Sequence, residues 1–163
     1  MPSALPRRST ASRRSEGVPL LAHYRIKLEE VVEAHRIALL RGGGLDGMRD
    51  SNLIKAAIGR PYTGYYRSIH AKAAALTQSL CKNHGFVDGN KRTTLLILSL
   101  FLDRSGYQIV GPDKSWVGRE VSDADSVLAA NVEIDAVILS VVENQMSYEQ
   151  LLAWFRARLR RRP

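Results

Sequence analysis

The chain has 163 residues, of which 45% are hydrophobic and 25% are charged. This length is enough for one well-buried core and short for two ordinary domains, so we expect a single domain. Cys81 is the only cysteine, which excludes an intrachain disulfide. The sequence shows no signal peptide and no apolar run of the roughly 18 residues that a membrane span needs. Composition therefore predicts a soluble, cytoplasmic protein with no membrane partner.

The net charge of +8 is concentrated near the two ends of the chain. Residues 1–17 carry four arginines against one glutamate, residues 156–163 carry five arginines, and the stretch between them is neutral. Blocks of like charge are usually solvated or disordered. We therefore expect a flexible basic N-terminal arm (1–17), a folded domain (18–155) and an arginine-rich C-terminal tail (156–163). Binding of nucleic acid or an acidic partner by these tails is the alternative to a solubilising role.

The spacing of apolar residues predicts a mostly helical protein. We predict helices over 23–40, 53–58, 68–82 and 89–105, a short strand over 107–110, and further helices over 121–131, 132–142 and from 147 through 155. The helix over 89–105 is apolar nearly all round, so we expect it at the centre of an all-α bundle. His35 lies in the first helix, and a structural histidine that bonds a nearby loop is favoured over a catalytic role.

The segment Tyr62-Thr63-Gly64-Tyr65-Tyr66 is aromatic and interrupted by glycine. Such a composition is typical of a short β-hairpin or an extended flap. The alternative is that its tyrosines close the side of the core.

The run from His84 to Thr94, HGFVDGNKRTT, concentrates the residues with catalytic potential. An apolar segment follows at once, so Gly89 to Lys91 are expected to open a helix. The first amides of a helix have no intrahelical acceptor and favour bound anions. The sequence therefore predicts a phosphate at the start of this helix.

The spacing within the run suggests separate roles for its side chains. A neutral imidazole titrates near ~6.5 and can take a proton from a hydroxyl, which makes His84 the candidate base. Asp88 offers the hard oxygen ligands that Mg²⁺ prefers. Lys91 and Arg92, with Asn90 beside them, would offset the charge of a nucleoside triphosphate.

The run resembles the signature of the Fic/Doc superfamily, and in particular of its death-on-curing (Doc) branch. The flanking segments resemble the same branch, so the resemblance covers about residues 23–160; these segments are His35, Gly42–Asp50, Ala57–Pro61 and Phe101–Tyr107. It implies a Fic/Doc-like helical bundle around the motif helix, with Phe86 anchoring the loop in the core. It also implies a small β-hairpin flap that clamps a target peptide through main-chain hydrogen bonds, by position at Tyr62, Thr63, Gly64 and Tyr65.

Three departures from the general Fic motif are Gly85 in place of Pro, Lys91 in place of Gly and Leu95 in place of a second Arg. The usual Fic reaction transfers AMP from ATP, whereas the Doc branch carries the Lys and resembles a kinase that binds ATP in reverse. The resemblance thus implies a toxin of a toxin–antitoxin pair that moves the γ-phosphate of ATP, with Mg²⁺, to a hydroxyl of a target protein. In that branch the target is a threonine of elongation factor Tu, modification blocks translation, and a cognate antitoxin is encoded nearby.

The matching positions imply His84 as base, Asp88 as magnesium ligand, and Gly89, Asn90, Lys91 and Arg92 at the phosphates. The alternatives are an AMP transferase on the same scaffold and a binding module that has lost its chemistry. Ser12, Glu16 and Gly17 resemble the inhibitory motif of some Fic proteins. That match is degenerate and lies in a segment that does not favour a helix.

Overall fold

The computed structural model describes residues 22–110 and 132–163. The predicted arm (1–17), its possible inhibitory motif and the predicted helix 121–131 lie outside these residues. The described elements, in chain order, are α1 (Leu28–Gly42), α2 (Ser51–Gly59), a 3₁₀ turn (Arg60–Tyr62), α3 (Ile69–Asn83), α4 (Asn90–Arg104), β1 (Tyr107–Ile109), α5 (Val132–Val142), α6 (Tyr148–Arg158) and β2 (Leu159–Arg161). The predicted all-α class, with one small antiparallel sheet, is confirmed. None of the described helices combines the length and the apolar character that crossing a bilayer requires.

Helices α3 and α4 form the centre of the bundle. They pack against each other, while α1 and α5 also contact α4, and α2, α5 and α6 contact α3. Side chains of both central helices and of the helices around them are fully buried, among them Leu76, Ile97, Phe101, Ile138 and Phe155. Each central helix has 15 residues and is therefore about 22 Å long. The short link between them makes them antiparallel, so the bundle has a motif end, at Asn83–Asn90, and a distal end, at Ile69 and Arg104.

Local capping signals place the helix starts where the sequence predicts them. The side chain of Asp50 accepts a hydrogen bond from the Asn52 amide at the start of α2, and Ser147 forms a capping box with Gln150 at the start of α6. Such caps contribute about 1 kcal/mol each. Helix α1 is an exception, because it begins at Leu28 rather than His23. The Glu30 carboxylate accepts from the Lys27 amide and fixes the start there, and residues 22–27 stay extended.

The expected hairpin at residues 62–66 is wrong. Tyr62 ends the 3₁₀ turn and the following residues form bends without strand pairing. Pro61 favours the turn because its ring fixes φ near −65°. The Tyr62 hydroxyl donates to the Tyr24 carbonyl, and Arg60 donates to the Tyr66 hydroxyl at 2.8 Å. Tyr62 and Tyr66 therefore close the side of the bundle, which is part of the alternative that the sequence left open, whereas Tyr65 is exposed.

The expectation of a solvated C-terminal tail is also wrong. Helix α6 continues through Arg158, and β2 pairs antiparallel with β1, with Leu159 opposite Ile109. Leu159 is 3% exposed. Arg158 pairs with Glu133 at 2.7 Å and Arg162 pairs with Asp103 at 2.5 Å, so two of the arginines are held by acids from distant parts of the chain. The small sheet of this fold is thus formed by the segment predicted to be a tail.

Candidate active site

His84 ends α3 in a left-handed conformation, with φ 45° and ψ 52°. This region is uncommon for residues other than glycine and is strained by roughly 1–2 kcal/mol. The side chain is exposed, and it makes no hydrogen bond or ion pair within the described residues. The imidazole is therefore available to a substrate at the rim of the motif loop.

The motif loop is braced by an extended segment that precedes α2. Met48 and Phe86 form an antiparallel β-bridge, in which the Arg49 amide donates to the Gly85 carbonyl at 2.8 Å and the Val87 amide donates to the Gly47 carbonyl at 2.9 Å. A pairing between residues about 40 positions apart leaves no local sequence signal.

Phe86 anchors the loop, as the resemblance implies. It is 4% exposed, and its ring stacks on the His35 ring with centroids 3.8 Å apart and planes 4° apart. His35 is buried, and its Nε2 lies 2.9 Å from the Asp88 carbonyl oxygen. Donation to this carbonyl fixes the proton on Nε2. The structural role predicted for His35 is confirmed, because its ring holds two residues of the loop at once.

The Asn90 side chain closes the loop instead of reaching into solvent. Its Oδ1 accepts from the Phe86 amide at 3.1 Å and its Nδ2 donates to the Phe86 carbonyl at 3.0 Å. Both ends of the amide are thus used within the protein. The Asn90 side chain, which was predicted to contact phosphate, is therefore engaged within the loop, while the first amides of α4 have no intrahelical acceptors.

The Asp88 carboxylate is exposed and lies at the start of α4. Its Oδ1 accepts from the Gly89 amide at 2.6 Å and its Oδ2 from the Leu45 amide at 3.3 Å. These hydrogen bonds hold the pKa of the Asp88 carboxyl below its ordinary value, with a further contribution from the charge of Arg92. Asp88 is therefore ionised at neutral pH and keeps lone pairs available for a cation.

Arg92 is oriented by the end of α1. Its Nη1 donates to the Ala38 carbonyl at 2.6 Å and its Nη2 donates to the Gly43 carbonyl at 2.7 Å. Helix carbonyls at a C-terminus carry partial negative charge, so the guanidinium is stabilised there. Five N–H donors exist on a guanidinium, and the remaining ones are available to a ligand.

Two glycines that the sequence analysis did not assign make room for these side chains. A Cβ on Gly42 would lie 1.8 Å from the Arg92 Nη1, and a Cβ on Gly44 would lie 2.5 Å from the Asp88 Oδ2. The Gly42-Gly43-Gly44 run is therefore part of the site, because it allows the backbone to approach both motif side chains. The run itself was the available signal, since three consecutive glycines exceed what a helix stop needs.

The motif residues line one cavity of about 1000 Å³, at the upper end of the size of small-molecule sites. Lys91 lines it and makes no hydrogen bond or ion pair in the described part of the chain. Cys81 lies in its wall and is 1% exposed; burial raises the pKa of its thiol to about 12, so it acts as a small apolar residue. The cavity is lined by Arg41, Gly42, Cys81, His84, Val87, Asp88, Gly89, Asn90, Lys91, Arg92, Leu95, Asp135 and Val142.

The cavity brings together His84, Asp88, Gly89, Asn90, Lys91 and Arg92, all six of the residues predicted at the chemistry. It does not include the predicted docking residues Tyr62, Thr63, Gly64 and Tyr65. Tyr62 instead contacts Tyr24 and Arg25, which precede α1. The segment that flanks the motif loop is the extended one at Gly43–Asp50.

The donor set fits a magnesium ion whose coordination is completed by phosphate. Within residues 22–110 and 132–163 no cluster of three or more His, Cys, Asp or Glu side chains could form an all-protein cage. Mg²⁺ is usually held by one or two carboxylates together with phosphate oxygens and water. Asp88, ionised and exposed at a helix start that attracts anions, matches that arrangement.

Comparison with known proteins agrees with this geometry. The sequence profile of the Fic/DOC family matches residues 25–102. The chain is 44% identical over 86 residues to Toxin Doc of Mycolicibacterium smegmatis. The aligned region covers 50% of this chain and 64% of Toxin Doc, so the chain spans slightly less than two thirds of that relative's length. The chain is also 36% identical over 88 residues to Protein kinase doc of Escherichia phage P1, and this aligned region covers 52% of this chain and 70% of that protein.

The fold, the motif loop and these similarities show that the chain belongs to the Fic/Doc family. Both relatives are Doc proteins, so it falls in the Doc toxin branch.

Proposed function

We propose that this protein is a Doc-type toxin that transfers the γ-phosphoryl group of ATP to a hydroxyl of a target protein. The observation that supports this most directly is the position of Lys91. This side chain makes no ion pair within the described residues, and it lines the same cavity as the His84 imidazole and the ionised Asp88 carboxylate. Phosphoryl transfer to a hydroxyl uses a base, a metal ligand and a cation, and the residues of this cavity would supply all three.

In the proposed reaction His84 takes the proton from the target hydroxyl as its oxygen attacks the γ-phosphorus. The bond from the γ-phosphorus to the bridging oxygen breaks, ADP leaves, and the proton remains on the imidazole. Lys91, the fixed guanidinium of Arg92 and the first amides of α4 offset the negative charge on the phosphoryl oxygens. Asp88 would hold Mg²⁺, which supplies charge neutralisation at the phosphates when bound.

The named relatives support the kinase over its nearest rival. One of them is called a protein kinase, and Leu95 gives the cavity an apolar wall where the general Fic motif has a second arginine. Transfer of AMP on the same scaffold is the second candidate, because the base and the cation site would serve either reaction. The complete and accessible residue set argues against a catalytically silent binding module.

The target would dock along the extended segment Gly43–Asp50 rather than at the tyrosines after α2. This segment pairs with the motif loop by main-chain hydrogen bonds. The segment carries exposed apolar side chains, including Leu45 at 70% and Met48 at 43% exposure. By the resemblance, the target is a threonine of elongation factor Tu, and a cognate antitoxin would hold the toxin inactive in the cytoplasm.

The test is to incubate the protein with elongation factor Tu, ATP and Mg²⁺ and to measure the intact mass of the target. His84→Ala serves as the matched control, because an exposed side chain that bonds no other described residue can be removed with little effect on folding. An added phosphoryl group that is absent with His84→Ala supports the kinase. An added AMP group would establish the rival reaction, and an unmodified target would reject elongation factor Tu as substrate.

A further inference from the structure

Basic side chains from three distant parts of the chain meet at the distal end of the bundle. Arg25, which precedes α1, and Lys72, on α3, both lie over the Tyr62 ring; the Arg25 Cζ is 4.6 Å and the Lys72 Nζ is 5.0 Å from the ring centroid. The C-terminal arginines reach the same end, because β2 pairs with β1, the strand that follows the distal end of α4.

The charges of these basic groups act on the two histidines among them. Burial, followed by the charges of Arg156 and Arg160, lowers the pKa of His70. Burial and the charges of Lys72 and His70 likewise lower the pKa of His23. These basic side chains therefore lie in one region, which we call the distal basic surface: His23, Arg25, His70, Lys72, Arg156 and Arg160. At neutral pH its positive charge comes from Lys72 and the three arginines.

The carboxylates nearby are largely engaged with other groups. Asp103 pairs with Arg162, Glu133 pairs with Arg158, and Glu30 accepts from the Tyr24 hydroxyl at 2.5 Å. Glu149 is an exposed carboxylate beside Tyr148. Within the described residues, no ion pair joins an acid to Arg25, Lys72, Arg156 or Arg160, so the described part of this surface carries an excess of positive charge.

We propose that the distal basic surface binds the phosphate backbone of a nucleic acid. Guanidinium groups match phosphate oxygens bidentately, and several cations on one face are the electrostatic footprint of such binding.

A protein partner is the less favoured occupant of this surface. Stable protein interfaces depend on apolar and aromatic anchors. Four of the exposed large apolar side chains, Leu40, Leu45, Met48 and Val87, lie instead at the motif end. Tyr65, on the loop after Tyr62, is 88% exposed, and an aromatic ring can stack on a nucleic-acid base.

The surface is separate from the candidate active site. Helices α3 and α4 each span the bundle, so the two ends are about 20 Å apart. None of the six residues lines the catalytic cavity. The inference therefore does not depend on the proposed kinase activity.

The test uses the full chain carrying His84→Ala, which removes the proposed toxicity and leaves the distal end unchanged. Binding to a fluorescent RNA of about 20 nucleotides is measured by anisotropy over a range of salt concentrations. The test variant carries Arg156→Glu and Arg160→Glu, two exposed side chains outside the ion pairs. The matched control carries Arg36→Glu and Lys55→Glu, which change the net charge equally on α1 and α2. A polyglutamate peptide serves as the acidic-protein probe.

The expected result is that the test variant binds RNA about tenfold more weakly or worse, and that the slope of log Kd against log salt falls by about two. The control should bind within about twofold of the parent, since remote charges are screened at physiological salt. If both variants bound RNA equally weakly, net charge alone would explain the loss of affinity, and the proposal would be overturned. Tighter binding of polyglutamate than of RNA, or no RNA binding, would overturn it as well.

Discussion

At the scale of single residues, the candidate site combines conformational strain with chemistry. His84 adopts a left-handed backbone in which glycine would be relaxed, yet only a titratable side chain can act as the base. Strained residues of this kind concentrate at functional sites because the surrounding fold holds them in place. Here the loop hydrogen bonds of Phe86, Asp88 and Asn90 provide that support.

We predict that His84→Gly is more stable than His84→Ala by roughly 0.5–1 kcal/mol, while both lack phosphoryl transfer. Alanine keeps the left-handed strain, and glycine removes it at the cost of chain entropy. Urea denaturation of the two variants measures the difference. Equal stabilities would mean that the φ of 45° carries no strain in solution.

A second residue-scale prediction distinguishes two roles of glycine in the run Gly42–Gly44, namely leaving space for a neighbouring side chain and adopting a positive φ. Gly42→Ala places a methyl group against the Arg92 guanidinium and should weaken ATP binding about tenfold with a small loss of stability, because the fork shifts off the Ala38 and Gly43 carbonyls. Gly43→Ala meets no neighbour within 4 Å but sits at φ 66°, so its cost should appear mainly as about 1–2 kcal/mol of stability. Calorimetric ATP titration and urea denaturation measure the two effects. The reverse pattern would contradict this assignment of roles.

At the scale of elements, local signals in the sequence were sufficient for most helices. Asp50, Ser68 and Ser147 cap their helices, and such a cap depends on residues two or three positions away. The residues that line the cavity at the start of α4 were also recognisable, because they occupy one continuous loop. The β1–β2 pairing and the bridge of Met48 to Phe86 were missed, since each joins residues far apart in sequence and depends on how the helices pack.

The Asn90 side chain determines the shape of the motif loop as an element. Asn90→Ala loses both bonds to Phe86 and should cost about 1–3 kcal/mol of stability, with a fall in activity as the loop opens. Asn90→Asp keeps the acceptor for the Phe86 amide but sets a carboxylate against the Phe86 carbonyl. We therefore expect its stability to fall between the parent and Asn90→Ala. Thermal denaturation beside the kinase assay tests the order, and an undisturbed Asn90→Ala would show that the loop closes without these bonds.

The strand β2 makes the C-terminus part of the folded structure. Deleting residues 159–163 should lower the free energy of unfolding by about 2–4 kcal/mol, because Leu159 leaves the core, the pairing with β1 is lost and Asp103 loses Arg162. A solvated tail could be removed without effect. Urea denaturation of the truncated chain distinguishes the two, with Arg161→Ala, an exposed position on β2, as the matched control.

At the scale of the whole molecule, charge is divided between the two ends of the bundle. The motif end holds a few cations beside Asp88, arranged around a cavity. The distal end gathers cations from residues 23–25, 70–72 and 156–160, which the chain brings together only after folding. The excess charge at the C-terminus is visible in the sequence. The surroundings of Arg156 and Arg160 are not, because they follow from the packing of α6 on α3.

This concentration of charge predicts a pH dependence of stability. Burial and neighbouring cations lower the pKa values of His23 and His70 in the folded state, so between those lowered values and the ordinary value near 6.5 the unfolded chain binds more protons. The free energy of unfolding must then rise with pH in that window and level off above about 7. Urea denaturation at about pH 5.5 and about pH 7.5 should show the increase, and His23→Gln with His70→Gln should reduce it. High salt should reduce it too, since it screens the contribution of Lys72, Arg156 and Arg160. An unchanged slope in the double variant would assign the pH dependence to groups outside the distal basic surface.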